Sequence, residues 1–381
     1  MNTVTKTVRN ILFVTGTRAD YGKMEPLAIA AQEEGHNVTF FVTGMHMMAQ
    51  YGLTKEEVHR ENKFNVIEFM NQRPGDAQDI ILAKTVTGFS DCIQEMRPDL
   101  VVIHGDRVEA VACSFVCASN YVRSAHVEGG EVSGTIDEVF RHCTTKLSWA
   151  HLVSSSKAQQ RILRLGETPQ NVHIIGSPEL DIHSKPSGVD LTQVLVRYGI
   201  KTSDYGICIF HPVTSEQEQT DVDVNALFNT LEMLGRYFVV ILPNNDPGSE
   251  VINRRLAKLP QERFRVLPSM RFNFFSELMK NAKVIVGNSS VGVREAPFMG
   301  IPSIDIGTRQ TNRSEAPSVH NVTAGSSTEI TEFIDQNWGK RFISDKSFGE
   351  GSAAKNFVKL LNNSIFWDQP FQKHFHEEGV V

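Results

Sequence analysis

The sequence predicts an α/β protein built from two doubly wound, Rossmann-like domains in series, and three observations predict it. Short Val/Ile/Leu-rich runs alternate with longer helical stretches, those runs are continuously apolar, and the pattern stops and restarts once, near residues 184–189. Continuous apolar runs indicate parallel strands covered on both faces. At 381 residues the chain exceeds what one core usually organises, at roughly 100 to 200 residues per domain.

The alternation opens with a strand at 11–15, a helix from about Lys23 to Glu34 and a strand at 38–43. A buried strand at 100–104, a helix at 108–119 and strands at 124–127 and 151–154 follow. Ser-Lys-Pro-Ser-Gly-Val at 184–189 then reads as a linker, which places the domain boundary between residues 185 and 186. The grammar restarts with strands at 205–210, 238–242, 263–267, 284–286 and 303–306. Two such sheets place a ligand cleft at the strand C-terminal edges. Phe366, Trp367, Phe371 and Phe375 predict that the stretch 364–381 docks.

Composition narrows the partners. The 38 Lys plus Arg against 44 Asp plus Glu give a formal charge of −6 without a basic stripe, which argues against nucleic acid. No run approaches 18 apolar residues, and Met1 to Asn10 carry no apolar signal-peptide core, so no membrane span and a cytoplasmic location are expected. Five cysteines without a C-x-x-C pair suit neither a disulfide framework nor zinc, so they are expected reduced and mostly buried.

The first strand empties into Gly16-Thr17-Arg18-Ala19-Asp20-Tyr21-Gly22-Lys23. Two glycines and two cations at a helix start can hold an anion, with Arg18 gripping phosphate; a tight turn with solvated charges is the alternative. The spacing is neither a P-loop nor G-x-G-x-x-G. His104-Gly105-Asp106-Arg107 ends the next strand, where charged residues face a ligand crevice and Asp106 could instead cap a helix. His126-Val127-Glu128-Gly129-Gly130-Glu131 ends another, and Asp137 and Arg141 follow at the spacing of a surface ion pair. Asp106, Glu128 and Asp137, with Glu131 nearby, are what acid/base chemistry without a metal needs. The histidines show no H-E-x-x-H spacing and read as orienting groups, and His46 belongs to a Met-rich packed turn.

In the second half, Phe210-His211-Pro212-Val213-Thr214 presents His211 at a strand end. Asn288-Ser289-Ser290-Val291-Gly292-Val293-Arg294-Glu295 opens a helix: Ser289 and Ser290 can donate to a diphosphate, Gly292 permits close approach, and Glu295 can accept ribose hydroxyls, unless Ser289 is an ordinary N-cap. Gly307-Thr308-Arg309-Gln310-Thr311-Asn312-Arg313 adds the cations Arg309 and Arg313 to the same edge.

Taken together, these segments resemble the hydrolysing UDP-N-acetylglucosamine 2-epimerases of bacterial sialic acid synthesis, in order and at matching spacing from about residue 10 to residue 365. Thr-Arg-Ala-Asp at 17–20, where non-hydrolysing relatives typically read Thr-Arg-Pro-Glu, favours the hydrolysing branch. The resemblance implies the glycosyltransferase-B arrangement: residues 1–185 as an N-terminal domain with the acid/base carboxylates, 186–363 as a UDP-binding domain, an active site in the interdomain cleft, and 364–381 crossing back. It implies conversion of UDP-N-acetylglucosamine and water to N-acetylmannosamine and UDP, with no metal or other cofactor and a homodimer or homotetramer. It assigns Asp106, Glu128 and Asp137 as acid/base groups, with Glu131 and Arg141 beside them. Arg18, Lys23, Arg107, His211, Ser289, Ser290, Gly292, Glu295, Arg309 and Arg313 fall to the nucleotide. Arg18, Arg309 and His211 are expected to bring charge to the leaving diphosphate. Asp181 lies outside every cluster and reads as a neutral comparison for Arg309. Epimerases of a UDP- or GDP-linked 2,4-diacetamido-trideoxy sugar and the non-hydrolysing epimerases are the neighbouring alternatives.

Overall fold

The computed structural model describes residues 7–133, 136–243 and 248–377. The chain divides into two compact units: Met1–Glu131, Ile136–Asp181 and Phe348–Val381 form the first, and Val132–Thr135 with Ile182–Ser347 form the second.

The first unit holds a parallel sheet of β1 (Asn10–Thr15), β2 (Asn37–Val42), β3 (Asn65–Glu68), β4 (Leu100–His104), β5 (Ser124–Val127), β6 (Ala150–Val153) and β7 (Val172–Ile174), in the order β3-β2-β1-β4-β5-β6-β7. Successive strand residues point to opposite faces. Ile11 and Phe13 therefore join one core with Val38, Phe40 and Leu100, while Leu12 and Val14 join another with Phe41, Val101 and Ile103. Helices cover both faces, which is why the sequence runs are apolar throughout.

The second unit repeats the plan with β8 (Gly206–Ile209), β9 (Phe238–Ile241), β10 (Phe264–Leu267), β11 (Ile285–Gly287), β12 (Ser303–Ile306) and β13 (Val319–Val322), ordered β10-β9-β8-β11-β12-β13 and again parallel. In each sheet the strand order reverses once, between β1 and β4 and between β8 and β11. Open α/β sheets bind ligands beyond the strand C-termini at such points.

The strands absent from the sequence reading are β3, β7 and β13, all at sheet edges. An edge strand is covered less completely, so polar residues such as His173, His320 and Asn321 interrupt its apolar pattern. The first helix runs Arg18–Glu33 and so begins earlier than the expected Lys23. Thr17 Oγ1 accepts the Asp20 N–H (3.2 Å) and Asp20 accepts the Gly16 N–H (3.3 Å), capping the helix inside the segment read as a turn.

The return to the first unit begins at Phe348, ahead of the expected residue 364. The helix Ala353–Leu361 explains this, because its Phe357, Leu360 and Leu361 complete the core around Phe13 and Met24. Burying a side chain such as Phe357 is worth about 1.5–3 kcal/mol. Asp181, expected to be neutral, is buried and accepts the first N–H groups of that helix, Ala353 and Ala354, at 2.8 Å each. All five cysteines are free; Cys143 alone is exposed. Among the described residues no helix is long and apolar enough to cross a membrane.

Candidate functional site

Adjacent strands β1, β4 and β5 deliver one group of ionisable side chains in the first unit. His104, at the end of β4, donates Nδ1–H to Asp20 Oδ1 (3.0 Å) and Nε2–H to Glu128 Oε2 (3.1 Å). Two carboxylate partners require both ring nitrogens to carry protons, so His104 is an imidazolium. Burial alone would lower its pKa, but the hydrogen bonds to Asp20 and Glu128 and the charge of Glu128 push it up to about 9. Burial likewise opposes ionisation of Asp20, yet the bond and charge of His104, with Arg107 and Thr17, hold its carboxyl down to about 2.

Glu128 is the centre of this group. Its Oε2 also takes Lys23 Nζ (2.8 Å), its Oε1 takes the Ser177 hydroxyl (2.5 Å), and Lys23 reaches on to Glu179 (2.9 Å). Charges thus alternate along Asp20, His104, Glu128, Lys23 and Glu179. Glu128 is only 4% exposed and sits at φ 63°, a left-handed backbone that a non-glycine residue seldom adopts and that clusters at functional sites.

A second acidic pair stands nearby. Arg141, buried on the helix Asp137–Leu147, bonds Asp106 and donates to the Glu131 carbonyl (3.2 Å), so it is no mere surface partner of Asp137. Asp137 opens that helix and is half-buried. Glu131 accepts the Ser154 hydroxyl. Arg18 pairs with Glu57 (3.4 Å), and Arg107 Nε lies 3.4 Å from Glu109, whose oxygens are buried. Gly16, Asp20, His104, Arg107 and Glu109 line a cavity of ≈ 10 Å³, room for about one water. The expected anion turn is therefore altered: the helix caps itself, and Lys23 stands among carboxylates.

Other histidines are structural. His46 bonds Thr15 and Thr54, and His126 donates to the Gly105 carbonyl (2.7 Å) while accepting from Thr145. Burial drives them down to about 4 and about 3, so both are neutral. No group of three His, Cys, Asp or Glu side chains among the described residues is arranged to hold a metal.

In the second unit the ends of β8, β11 and β12 converge on Asn288. Its side chain clamps the His211 backbone, accepting from N–H (2.7 Å) and donating to the carbonyl (2.8 Å). Its own carbonyl takes Gln310 Nε2 (2.9 Å) and Arg309 Nη1 (3.2 Å), while Arg313 donates to Gln310 (2.7 Å). Burial first, then the charge of Arg309, hold His211 well below its ordinary pKa. His211 is therefore a neutral donor or acceptor and brings no positive charge, contrary to the expectation.

Gly287 makes the approach possible: at φ 135°, an added Cβ would lie 1.9 Å from the Ile209 carbonyl oxygen. The helix expected after Ser289 is one short turn, Ser290–Val293, containing buried Gly292. It breaks at Arg294 and resumes as Glu295–Phe298, because Pro297 lacks an N–H and its ring crowds the carbonyl four residues back. Ser289 caps the turn, accepting from the Val291 N–H (3.5 Å), so the helix start expected there is confined to that one turn. Glu295 is buried and takes His183 Nε2 (2.8 Å), while His183 Nδ1 bonds Ser276 (2.9 Å). Asp305, in β12, is pushed up to about 6, chiefly by burial.

Sequence reasoning missed Ser177 and Glu179 because β7 before them escaped notice, and it assigned no partner to Asp20 or His183. Gly176-Ser177-Pro178-Glu179 after Val172, Ile174 and Ile175, a run broken by His173, was the available signal.

The chain matches the family described as UDP-N-acetylglucosamine 2-epimerase over residues 29–362. It is 42% identical to UDP-N-acetylglucosamine 2-epimerase of Neisseria meningitidis serogroup B over 376 residues, 97% of this chain and 99% of the other. It is 29% identical to a UDP-N,N′-diacetylbacillosamine 2-epimerase (hydrolyzing) of Legionella pneumophila, covering 96% and 99%. In fold it is similar to UDP-GlcNAc 2-epimerase from Neisseria meningitidis bound to UDP-GlcNAc, with TM-score 0.76, 19% identity and coverage of 93% and 100%. The Methanocaldococcus jannaschii UDP-GlcNAc 2-epimerase in complex with UDP-GlcNAc and UDP gives TM-score 0.75 at 16% identity, covering 92% and 99%. The two parallel α/β units are thus of glycosyltransferase-B type.

Proposed function

Because the chain belongs to the UDP-N-acetylglucosamine 2-epimerase family, we propose that it converts UDP-N-acetylglucosamine and water to N-acetylmannosamine and UDP, the hydrolysing form of that chemistry. The observation that carries this reading is the carboxylate group of the first unit, buried Glu128 between His104 and Lys23 with half-buried Asp106 held by Arg141. Thr17-Arg18-Ala19-Asp20 supports the hydrolysing form through the resemblance given above.

The stereochemistry asks for two proton-transfer groups. In the α-linked substrate the C1–O bond and the C2–H bond are axial on opposite faces, so UDP leaves by anti elimination to 2-acetamidoglucal as a base takes the C2 proton. Water then adds at C1 and a proton returns to C2 from the other face. Asp106, Glu128 and Asp137 are the assigned pool of acids and bases, with Glu131 and Arg141 orienting them. No carbonyl acidifies the C2 proton, so C1–O cleavage runs ahead and negative charge builds on the diphosphate. Arg309, Arg18, Arg313 and the hydroxyls of Ser289 and Ser290 are assigned to that charge, at about 2.7–4 kcal/mol for a strong preorganised donor. His211 contributes a neutral hydrogen bond, Glu295 binds ribose, and Arg107 lies near the acids.

The test is turnover of UDP-N-acetylglucosamine in deuterium oxide followed by NMR. Free N-acetylmannosamine deuterated at C2, with UDP, is expected, and Glu128→Gln and Asp106→Asn should abolish both. UDP-N-acetylmannosamine as product would assign the non-hydrolysing form. The Legionella relative favours a second reading, a UDP-2,4-diacetamido-trideoxyhexose as substrate. Turnover of that sugar nucleotide with UDP-N-acetylglucosamine left unchanged would establish it.

A further inference from the structure

The helix Asp137–Leu147 carries Asp137 and Arg141 at one end, and its other end is held by a residue far along the chain. Lys373 Nζ donates to the carbonyls of Thr145 (3.2 Å), Lys146 (2.9 Å) and Ser148 (2.6 Å). These belong to the last turn and the residue beyond it, where carbonyls run short of helical N–H partners; that of Thr145 also accepts the Ser148 N–H at 3.3 Å. An ammonium there also opposes the negative end of the helix dipole.

Lys373 is itself held. Its ammonium lies 2.6 Å from Glu167 Oε2, and Glu167 also takes His151 (2.9 Å) and Lys146 (2.7 Å). The rest of the segment is anchored on both sides. Trp149 Nε1 donates to the Pro370 carbonyl (2.9 Å), Arg123 lies 4.1 Å over the Phe371 ring, and the His376 N–H reaches the Gly166 carbonyl (2.9 Å).

We propose that Lys373 is a positioning residue for Asp137 and Arg141, fixing the far end of their helix so that Arg141 stays on Asp106. The helix has 11 residues, a length that is marginal without tertiary support. Its register therefore depends on what holds its ends. The proposal rests on the roles assigned to Asp137 and Arg141 above.

The experiment compares full-length wild type with Lys373→Met, Lys373→Arg and, as a comparison, substitution of exposed His374 by Ala. Turnover of UDP-N-acetylglucosamine is read with hydrogen exchange of peptides covering 137–147. For Lys373→Met, kcat should fall about tenfold with KM within about twofold, and exchange in 137–147 should quicken about tenfold while β1 and β4 are unchanged. Lys373→Arg should recover most of kcat, and His374→Ala should match wild type. Wild-type kcat in Lys373→Met, or faster exchange spread evenly over the first unit, would overturn the proposal. Should Lys373→Met not fold, Lys373→Arg and Lys373→Gln carry the same comparison, and equal kcat in those two would overturn it. If wild type turns over no sugar nucleotide while Lys373→Met still loosens 137–147, the functional reading fails and the clamp on the helix stands.

Discussion

Replacing His104 by Gln tests whether an imidazolium holds Asp20 and Glu128 together. His104 moves from 6.5 to about 9 on folding, so its charged form adds stability that is complete below pH 6.5 and is lost as pH rises through about 9. Those two values give about 3 kcal/mol at low pH, somewhat less at pH 7 and close to none above pH 10. The lowering of Asp20 is the other side of the same bond and adds nothing further. Gln is neutral, so whatever hydrogen bonds its amide donates it supplies no positive charge, and removing the imidazolium leaves a buried acid uncompensated. Urea unfolding followed by the fluorescence of Trp149 and Trp367, with Trp338→Phe in both proteins, isolates the first unit. The wild type should exceed the variant by about 2–3 kcal/mol near pH 7, and the gap should close almost entirely by about pH 10. A gap that stays constant across that range would refute a charged His104.

Other outcomes follow from the same geometry. Arg309→Ala should lower kcat by about 10²–10³ if Arg309 meets the departing diphosphate, whereas Glu262→Ala, on an exposed carboxylate, should leave steady-state rates unchanged. Asp181→Ala is no neutral comparison: losing both N–H partners at Ala353 and Ala354 should cost about 1–2 kcal/mol in urea unfolding of the first unit. Gly287→Ala forces a Cβ against the Ile209 carbonyl and should destabilise the second unit by about 3 kcal/mol or more, read from Trp338 fluorescence in urea.

How far a residue could be read from the sequence depended on whether its environment was local. Leu100 to Ile103 announced a buried strand because both faces of β4 are covered, and His104 at its end was visible as an edge residue for the same reason. β7 was not legible: it has three residues, His173 among them, at a sheet edge, and so Ser177 and Glu179 passed unnoticed. His211 looked like a cation because nothing local to Phe210-His211-Pro212 reveals that it is buried beside Arg309. Ser289 looked like the start of a helix, but Pro297, eight residues on, helps confine that helix to one turn.

The sequence by itself determined two doubly wound sheets, their strand-end motifs and the family, since apolar period, loop chemistry and motif order are properties of neighbours along the chain. Only the tertiary structure decided which charges meet. Asp20, His104, Glu128 and Glu179 come from four separate elements, and Lys373 reaches a helix more than two hundred residues earlier. A carboxylate's partners and the protonation of an imidazole follow from burial and from distances of about 3 Å, and those are set by how β1, β4, β5, β6 and β7 lie side by side.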